Sequence, residues 1–542
     1  MNTPPRPSTR RRFLPAAVAA LTLLPLSAAL PAAALPAAVP GTAVPAAGPA
    51  ASRVPTPAEA RTDAYLASVR ERPARLRAFF RSMPKGGELH NHLSGAVSTE
   101  YLIQLAAEDG LCVRTDTLAA VVPPCGPGTR PAADARTDRA FREDLIRAWS
   151  MQDFPPGGNG HDHFFDTFDK FGEVTWRNRG KMLAEFADGV AAQNQSYLET
   201  MITPASDSAK KLAAEVGWDP DLAALHRKLT AGGRLDSVVR EAVEETDDGD
   251  AEFREAAGCG TARERPGCGL TVRWISQVSR GSSPERVFTQ LALGMRLSER
   301  DGRYVAVNLV QPEDWDSSLK NYRLQMRMIA YLRGVYPQAR VTLHAGELWP
   351  GLVKPEDLTF HIAEAVGTAR TDRVGHGVDL VHENDWQGTA RAMAAREVAV
   401  EVPFTSNAQI LGVRGAEHPF ETYRAYGVPV VLATDDPGVS RIDITHEYQY
   451  AARTYGLSYP QLKDLARASL EYAFLPGASL WRGNPTTEGY RTVPACRGER
   501  PGTPVRSAAC RRLVEGSPKA ALEWRQESSF AAFETAHAAP VR

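Results

Sequence analysis

The sequence has no excess of charge of either sign: its 542 residues contain 63 Lys and Arg against 64 Asp and Glu. Residues 1–50 hold four of the arginines and no acidic residue, so the rest of the chain has a formal net charge of −5. A chain without a basic excess has no general electrostatic attraction to DNA or RNA. We therefore expect no nucleic-acid partner.

Two common binding motifs are also missing. No Gly-x-Gly-x-x-Gly motif follows a predicted strand, which counts against a dinucleotide-binding fold. The six cysteines do not have zinc-finger spacing, and they fall instead into local pairs, which favours disulfides. The number of cysteines alone does not determine which cysteines pair with one another. The expected disulfides join Cys112 with Cys125, Cys259 with Cys268, and Cys496 with Cys510.

The first residues are typical of an export signal. Thr9-Arg10-Arg11-Arg12-Phe13-Leu14 precedes an apolar run over residues 16–30, and an Ala/Pro-rich stretch follows. Paired arginines followed by Phe-Leu are typical of a twin-arginine signal. A membrane anchor is the alternative, but prolines interrupt the run and it is short for a span of ~20 residues. We expect residues 1–50 to be an export signal and linker, and the mature protein to be secreted or periplasmic without a stable membrane span.

Eight short apolar runs separated by helix-length intervals predict eight β-strands. This alternation is typical of an α/β protein with a parallel (β/α)₈ TIM barrel, and a doubly wound open sheet is the alternative. We assign the barrel to residues 58–480, with an insertion after strand 1 and a C-terminal extension over 481–542. The predicted strands are 87–93, 196–203, 270–279, 304–310, 340–346, 373–378, 398–403 and 428–434. The predicted helices include 58–83, 100–108, a helical stretch over 450–481, and a terminal helix over 518–537.

Histidine and aspartate follow the predicted strands at the rim where barrel enzymes place their sites. His90 and His92 are two residues apart in an extended segment and so face the same side. His344 ends the fifth predicted strand and Asp435 the eighth. Three imidazoles and a carboxylate suit zinc, which lowers the pKa of bound water toward ~7. The end of the fourth strand, residues 309–312, has no lysine to bridge a second metal, so we expect one zinc ion per chain.

Four motifs in this chain together resemble those of the adenosine/AMP deaminase family of metal-dependent hydrolases. They are Leu89-His90-Asn91-His92, His344-Ala345-Gly346-Glu347, Arg373-Val374-Gly375-His376-Gly377 and Thr434-Asp435-Asp436-Pro437, and they occur in the family's order. The similarity covers roughly residues 80–480. The export signal, the cysteine pairs and residues 474–481 are similar to the secreted, growth-factor-related branch of that family.

The resemblance implies a role for each residue of these motifs. Asp435 would complete the zinc ligands, Glu347 would protonate purine N1, and His376 would orient and deprotonate the attacking water. Asp436 would donate a hydrogen bond to N7, which requires it to be protonated, as a neighbouring carboxylate favours. Two positions depart from the family pattern: Ser94 stands where an aspartate usually contacts the ribose, and Gln311 where a glycine meets N3. The expected substrate contacts are therefore His92, Ser94, Gln311 and Asp436.

The expected function is zinc-dependent deamination of adenosine, and of 2′-deoxyadenosine, to inosine-type products and ammonia by an exported enzyme. One alternative is an amidohydrolase acting on another aminopurine or on a small cyclic amide. A second alternative is a secreted binding or growth-factor-like protein with an idle site. It is disfavoured because the expected metal ligands and Glu347 are all present in the sequence. The expected partner is a small purine nucleoside. The sequence leaves open whether the chain forms a homodimer.

Overall fold

The computed structural model describes residues 54–537 of the chain. The predicted export signal, residues 1–50, lies outside this range, so its nature stays a prediction. Across residues 54–537, no helix has both the length and the apolar character needed to cross a bilayer.

A single eight-stranded parallel sheet forms the centre of the fold, and its strands are neighbours in the order in which they occur along the chain. The two end strands meet through a parallel bridge between Asn91 and Asp435, where the Asp435 N–H donates to the His90 carbonyl at 2.9 Å. The predicted (β/α)₈ barrel is therefore confirmed. The strands are β1 (Gly86–Glu88), β2 (Gln195–Ile202), β3 (Thr271–Ser279), β4 (Tyr304–Val310), β5 (Arg340–Ala345), β6 (Arg373–His376), β7 (Ala399–Val402) and β8 (Val430–Leu432).

The first predicted strand, 87–93, is wrong in extent, because β1 ends at Glu88 and Leu93–Ala96 is a short helix. Residues 89–92, between β1 and this helix, stay extended and form hydrogen bonds at the ends of both neighbouring strands, β2 and β8. The Met201 N–H donates to the Asn91 carbonyl at 2.9 Å, and the His92 N–H donates to the Asp435 carbonyl at 3.1 Å. The two histidines therefore still project from one extended segment at the rim of the barrel.

Two helix predictions also need correction. The helix expected over 58–83 is interrupted before Pro73, whose ring cannot continue a helix from the preceding turn. The helical stretch expected to reach Trp481 ends at Glu471, ahead of Pro476 and of Gly477 at φ +101°. The helices are Pro57–Val69, Pro73–Ser82, Leu93–Ala96, Thr99–Glu108, Arg139–Ala148, Gly160–Thr175, Arg179–Ala192, Ser206–Val216, Leu222–Thr230, Arg234–Ala256, Pro284–Arg300, Asp316–Val335, His361–Gly367, Trp386–Arg396, Phe404–Ile410, Phe420–Ala425, Pro437–Ser440, Ile444–Thr454, Tyr459–Glu471, Pro485–Glu488, Ala508–Gly516 and Pro518–Ala536.

The long interval between β1 and β2 contains a small antiparallel sheet of Cys112–Arg114, Ala120–Val121 and Thr129–Pro131. All three predicted disulfides are formed in the structure, and the first of them closes this sheet. The helix Gly160–Thr175 of the same interval packs against the helix Phe404–Ile410 that follows β7. The insertion thus reaches the rim of the barrel where the strands end.

The terminal helix Pro518–Ala536 packs on the helix Tyr459–Glu471. Arg467 and Glu527 join the two helices through a buried bidentate ion pair with N···O distances of 2.7 and 2.8 Å. Lys463 pairs with Glu534 at 2.7 Å in the same interface. Buried charges are tolerated when paired in this way, so these contacts hold the extension against the barrel.

Candidate metal centre and catalytic pocket

Four histidines and one aspartate meet at the C-terminal rim of the barrel. His90 and His92 follow β1, His344 lies in β5, His376 ends β6, and Asp435 follows β8. Their ring centroids lie 4.6 Å apart for His90 and His344 and 5.1 Å apart for His344 and His376. Parallel strands bring their carboxyl ends to the same edge, which is why motifs so distant in sequence converge here.

Each of the four histidines directs Nδ1 at an acceptor oxygen. Such a contact keeps the proton of a neutral imidazole on Nδ1 and leaves the lone pair on Nε2. For His344 the oxygen is identified by a second contact, since the backbone N–H of His344 also donates to it at 3.0 Å. The pairs are His90 with Glu401 Oε2 at 2.6 Å, His92 with Gln277 Oε1 at 2.5 Å, His344 with Asn308 Oδ1 at 2.9 Å, and His376 with Asn407 Oδ1 at 2.8 Å.

The Nε2 atoms and the Asp435 carboxylate face one another. His92 Nε2 lies 3.2 Å from His344 Nε2 and 3.4 Å from Asp435 Oδ1. Among residues 54–537, His90 Nε2, His376 Nε2 and Asp435 Oδ1 are buried without a hydrogen-bond partner. An unsatisfied buried polar atom costs about 1–3 kcal/mol. A bound cation would remove that cost, so this set of donor atoms fits a metal ion.

His90 shows what takes the place of a cation when none is bound. Burial lowers its pKa, but the carboxylates of Asp435 and Glu401 outweigh burial and raise the pKa to about 10. A proton on Nε2 then faces Asp435 Oδ1 at 3.4 Å. Metal binding would displace this proton, since a ligating imidazole must offer its lone pair.

The candidate ligands form two overlapping groups. Donor atoms of His90, His344, His376 and Asp435 all lie within 4.8 Å of one another, and so do those of His92, Asp435 and Asp436. The predicted ligand set of His90, His92, His344 and Asp435 is thus divided between the groups, with Asp435 in both. Which subset binds the metal stays a prediction.

Two further carboxyl groups, Glu347 and Asp436, are buried beside these ligands. Burial, and then the charges of Asp435 and Glu313, raise the pKa of Glu347 well above its usual range. Burial and the charge of Asp435 raise the pKa of Asp436 in the same way. Both shifts favour the protonated form, which is the state that the expected roles of these two groups require.

His376 differs from the carboxylates because burial lowers its pKa to about 4. A neutral imidazole with Nδ1–H directed at Asn407 has an Nε2 that can accept a proton. Its Nδ1 also lies 3.6 Å from Glu347 Oε1, so the expected acid and the expected base are neighbours.

The backbone of the site is held in unusual conformations. His376 and Asp435 have φ values of +65° and +60°, in the left-handed region that non-glycine residues rarely adopt. A Cβ at Gly95 would lie 1.9 Å from Asp436 Oδ1, and a Cβ at Gly375 would lie 2.5 Å from His90 Cε1. These two glycines are therefore needed for the side chains of Asp436 and His90 to occupy their positions.

The site opens into a cavity of about 790 Å³. Ser94 and Gln311, the two positions that depart from the family pattern, both line it. Gln311 has a φ of +81°, and its Oε1 accepts a hydrogen bond from the Gly281 N–H at 3.1 Å. Its side chain is therefore tied to the loop after β3. Of the predicted site residues, seven line the cavity, namely His92, Ser94, Gln311, His344, Glu347, Asp435 and Asp436, whereas His90 and His376 are fully buried beside them.

Sequence reasoning missed the residues that orient the site. Glu313 accepts hydrogen bonds from the backbone N–H groups of Gly346 at 3.2 Å and Glu347 at 2.9 Å, and so fixes the loop that carries Glu347. A signal was present for two others, because Asn308 in β4 and Glu401 in β7 are polar residues within otherwise apolar buried strands. The missed residues are Gln277, Asn308, Glu313, Glu401 and Asn407.

Comparison with known proteins adds to this geometry. The family model described as Adenosine deaminase matches residues 158–479, more than half of the chain. The adenosine deaminase of Escherichia coli (strain SE11) is 35% identical over 136 residues, which are 25% of this chain and 38% of that protein. The adenosine deaminase of Salmonella heidelberg (strain SL476) is 37% identical over a segment of the same length and coverage. The chain thus aligns with less than half the length of the curated relatives it matches.

Solved structures with a similar fold include an adenine deaminase from Arthrobacter aurescens, at 17% identity and a TM-score of 0.46, covering 72% of this chain and 94% of that one. An N6-methyl-AMP deaminase from Arabidopsis thaliana matches at 20% identity and a TM-score of 0.47, covering 74% and 94%. The matched family region contains three of the four motifs, those around Glu347, His376 and Asp435. This chain therefore belongs to the adenosine deaminase family.

Proposed function

We propose that this protein is an exported, zinc-dependent enzyme that hydrolyses adenosine and 2′-deoxyadenosine to the corresponding inosine nucleoside and ammonia. The observation that carries the proposal is the arrangement of the rim. Four histidines and the carboxylate of Asp435 converge there, and the carboxyl groups of Glu347 and Asp436 line the same cavity. Family membership and the identity of the curated relatives support the reaction type.

Zinc is the metal we propose, held by His90, His92, His344 and Asp435, because three imidazoles and one carboxylate are ligands that it favours. When bound, zinc would polarise a water molecule and lower its pKa toward ~7. Ser406 Oγ donates to Asp435 Oδ2 at 2.6 Å, which leaves Oδ1 to face the histidines. The carboxylate is thus held with one oxygen directed toward the site.

The protein's own groups divide the remaining chemistry. The protonated Glu347 donates to purine N1, which draws electrons from C6 and makes that carbon open to attack by water. The neutral His376 accepts the proton of the attacking water at Nε2. The protonated Asp436 donates a hydrogen bond to N7 and holds the ring in place. His376 then passes this proton to the amino group, which leaves C6 as ammonia. The oxygen of water stays on C6 as a carbonyl, and its remaining proton returns to Glu347.

The sugar is expected to be recognised less tightly than the base. Ser94 offers a neutral hydroxyl where the family has an aspartate, and hydrogen bonds to charged groups are worth about 1.5–3 kcal/mol against about 0.5–1.5 kcal/mol for neutral ones. Arg286 lines the same cavity and makes no ion pair within the part of the chain that the structure describes. It is the side chain to consider if the substrate carries an anionic group on the sugar.

The reaction is tested by comparing adenosine, 2′-deoxyadenosine, AMP and free adenine on one zinc-loaded preparation, with inosine-type product followed by absorbance. We expect the two nucleosides to react with kcat/KM values within about tenfold, or ~1.4 kcal/mol, and free adenine to react poorly. A clear preference for AMP would contradict the proposed nucleoside substrate and indicate recognition through Arg286. Failure to convert any of the four would overturn the proposed reaction.

The role of Glu347 is tested with Glu347→Gln, which keeps the shape of the side chain and loses the transferable proton. General acid–base catalysis contributes about 10²–10⁴-fold, so kcat should fall by at least a hundredfold while zinc content is unchanged. The matched control is Glu356→Gln, which removes an exposed carboxyl group shortly after strand β5 and should leave kcat unchanged. Near-normal turnover in Glu347→Gln would show that another group supplies the proton.

Export is the part of the proposal that rests on the sequence alone, on the arginine pair, the apolar run and the disulfide-forming cysteines. We expect the full-length protein, produced in its host, to accumulate outside the cytoplasm, and the double variant Arg11→Lys/Arg12→Lys to stay inside. Arg6→Lys serves as the control and should be exported normally. Equal export of the double variant would contradict a twin-arginine signal.

A further inference from the structure

A buried arginine that the proposed reaction does not use lies beside β5. Arg280 directly follows β3, and its side chain is fully buried. Its Nη2 donates to the Leu309 carbonyl at 3.1 Å and to the His344 carbonyl at 2.6 Å. The guanidinium is therefore attached to the backbone of a candidate metal ligand. Within residues 54–537, its Nε and Nη1 atoms have no hydrogen-bond partner.

This pattern of contacts is poor evidence that Arg280 serves stability alone. Taking a charged group out of water costs free energy, and each buried N–H group without a partner adds to that cost. An unbranched apolar side chain would occupy the same space without either cost. The contact of Arg280 with the segment that follows β5 therefore indicates where its role lies.

Glu313 is the acidic partner of Arg280. Glu313 Oε2 lies 3.7 Å from Arg280 Nη1, and both side chains are fully buried. His361 Nδ1 also contacts Glu313 Oε1 at 2.5 Å. Burial acts to raise the pKa of Glu313, but His361 and Arg280 outweigh burial and lower that pKa. The shift favours the ionised carboxylate, which can only accept hydrogen bonds.

The two side chains hold opposite kinds of backbone group within residues 344–347. The guanidinium of Arg280 binds the carbonyl at the start of this segment, and Glu313 binds the N–H groups at positions 346 and 347. Between these contacts the chain turns at Gly346, which has a φ of +75° and whose carbonyl accepts a hydrogen bond from the Val378 N–H at 2.8 Å. The placement of Glu347 relative to His344 is thus supported by side chains that follow β3 and β4.

We infer that Arg280 and Glu313 act as one positioning unit, which holds the candidate ligand His344 and the proton donor Glu347 in the relative placement that the reaction needs. Neither Arg280 nor Glu313 lines the 790 Å³ cavity, so both act through other residues and not on the substrate itself. The inference rests on the proposed function, because it concerns the acid of that reaction. Misplacing a catalytic group by about 1 Å can lower the rate ~100-fold, so the effect should appear in kcat.

The test measures kcat and KM for adenosine, and zinc content, in Arg280→Met and in Glu313→Gln. We expect kcat to fall by about ten- to a hundredfold in each variant, because Glu347 is no longer held in place. KM should stay within about threefold, because the cavity wall is unchanged. Zinc should be retained, since Asn308 still holds both the ring and the backbone N–H of His344.

A double variant tests whether the two side chains act as a unit. Arg280→Met/Glu313→Gln should have a kcat within about threefold of that of the slower single variant, because residues that act together have non-additive effects. Arg280→Lys keeps the positive charge and can still donate to the His344 carbonyl. Its kcat should lie between those of the unaltered chain and Arg280→Met. If Arg280→Met does not fold, Arg280→Lys and Glu313→Gln carry the test.

The matched control is Arg467→Met, which removes a buried arginine from its ion pair with Glu527 in the C-terminal extension. It should lower the unfolding temperature and leave kcat and KM unchanged. Normal kcat in the folded variants of Arg280 and Glu313, fully additive losses in the double variant, loss of zinc, or an equal loss of kcat in Arg467→Met would overturn the inference while the unaltered chain still deaminates adenosine. An unaltered chain that converts neither nucleoside would overturn the proposed reaction, and the inference with it.

Discussion

The structure depends on how the Nδ1 atoms of the rim histidines are held. Each faces an oxygen supplied by a different part of the barrel, which orients the four rings with their Nε2 atoms toward the rim. Such outer contacts set the tautomer and orientation of metal-binding histidines, and losing one typically weakens metal binding ~10–100-fold. The buried polar atoms that remain unpaired at the rim are stable only when a cation or a proton joins them.

A buried charge network connects His90 to Phe474, which follows the helix Tyr459–Glu471. Glu401, which holds His90, is paired with Arg373 at 2.5 Å, and Arg373 pairs with Glu199 at 2.6 Å. The Arg373 guanidinium also lies 3.7 Å from the ring centroid of Phe474, whose N–H donates to Glu199 at 2.6 Å. The segment that follows the last barrel helix is therefore part of the support of the candidate metal ligand His90, which gives the residues around 474 a physical role.

Sequence alone predicted the barrel because each strand is a short apolar run and both faces of a parallel barrel strand are buried. It also predicted which motifs meet, since the carboxyl ends of parallel strands share one rim. It could not predict the partners of the histidines, because a polar residue within an apolar strand, such as Asn308 or Glu401, does not show which side chain it contacts. The early end of β1 was missed for a similar reason. Residues 89–92 stay extended through bonds to Met201 and Asp435, which are distant in sequence.

Zinc content per chain, measured by plasma mass spectrometry after extensive dialysis, tests most directly whether this rim is a metal centre. We expect one zinc ion per chain in the unaltered protein and almost none in His344→Ala, because that variant loses a nitrogen from the shared group of donor atoms. His446→Ala, at an exposed histidine away from the rim, should retain its zinc. Two tightly held ions per chain, or full zinc occupancy in His344→Ala, would contradict the assignment.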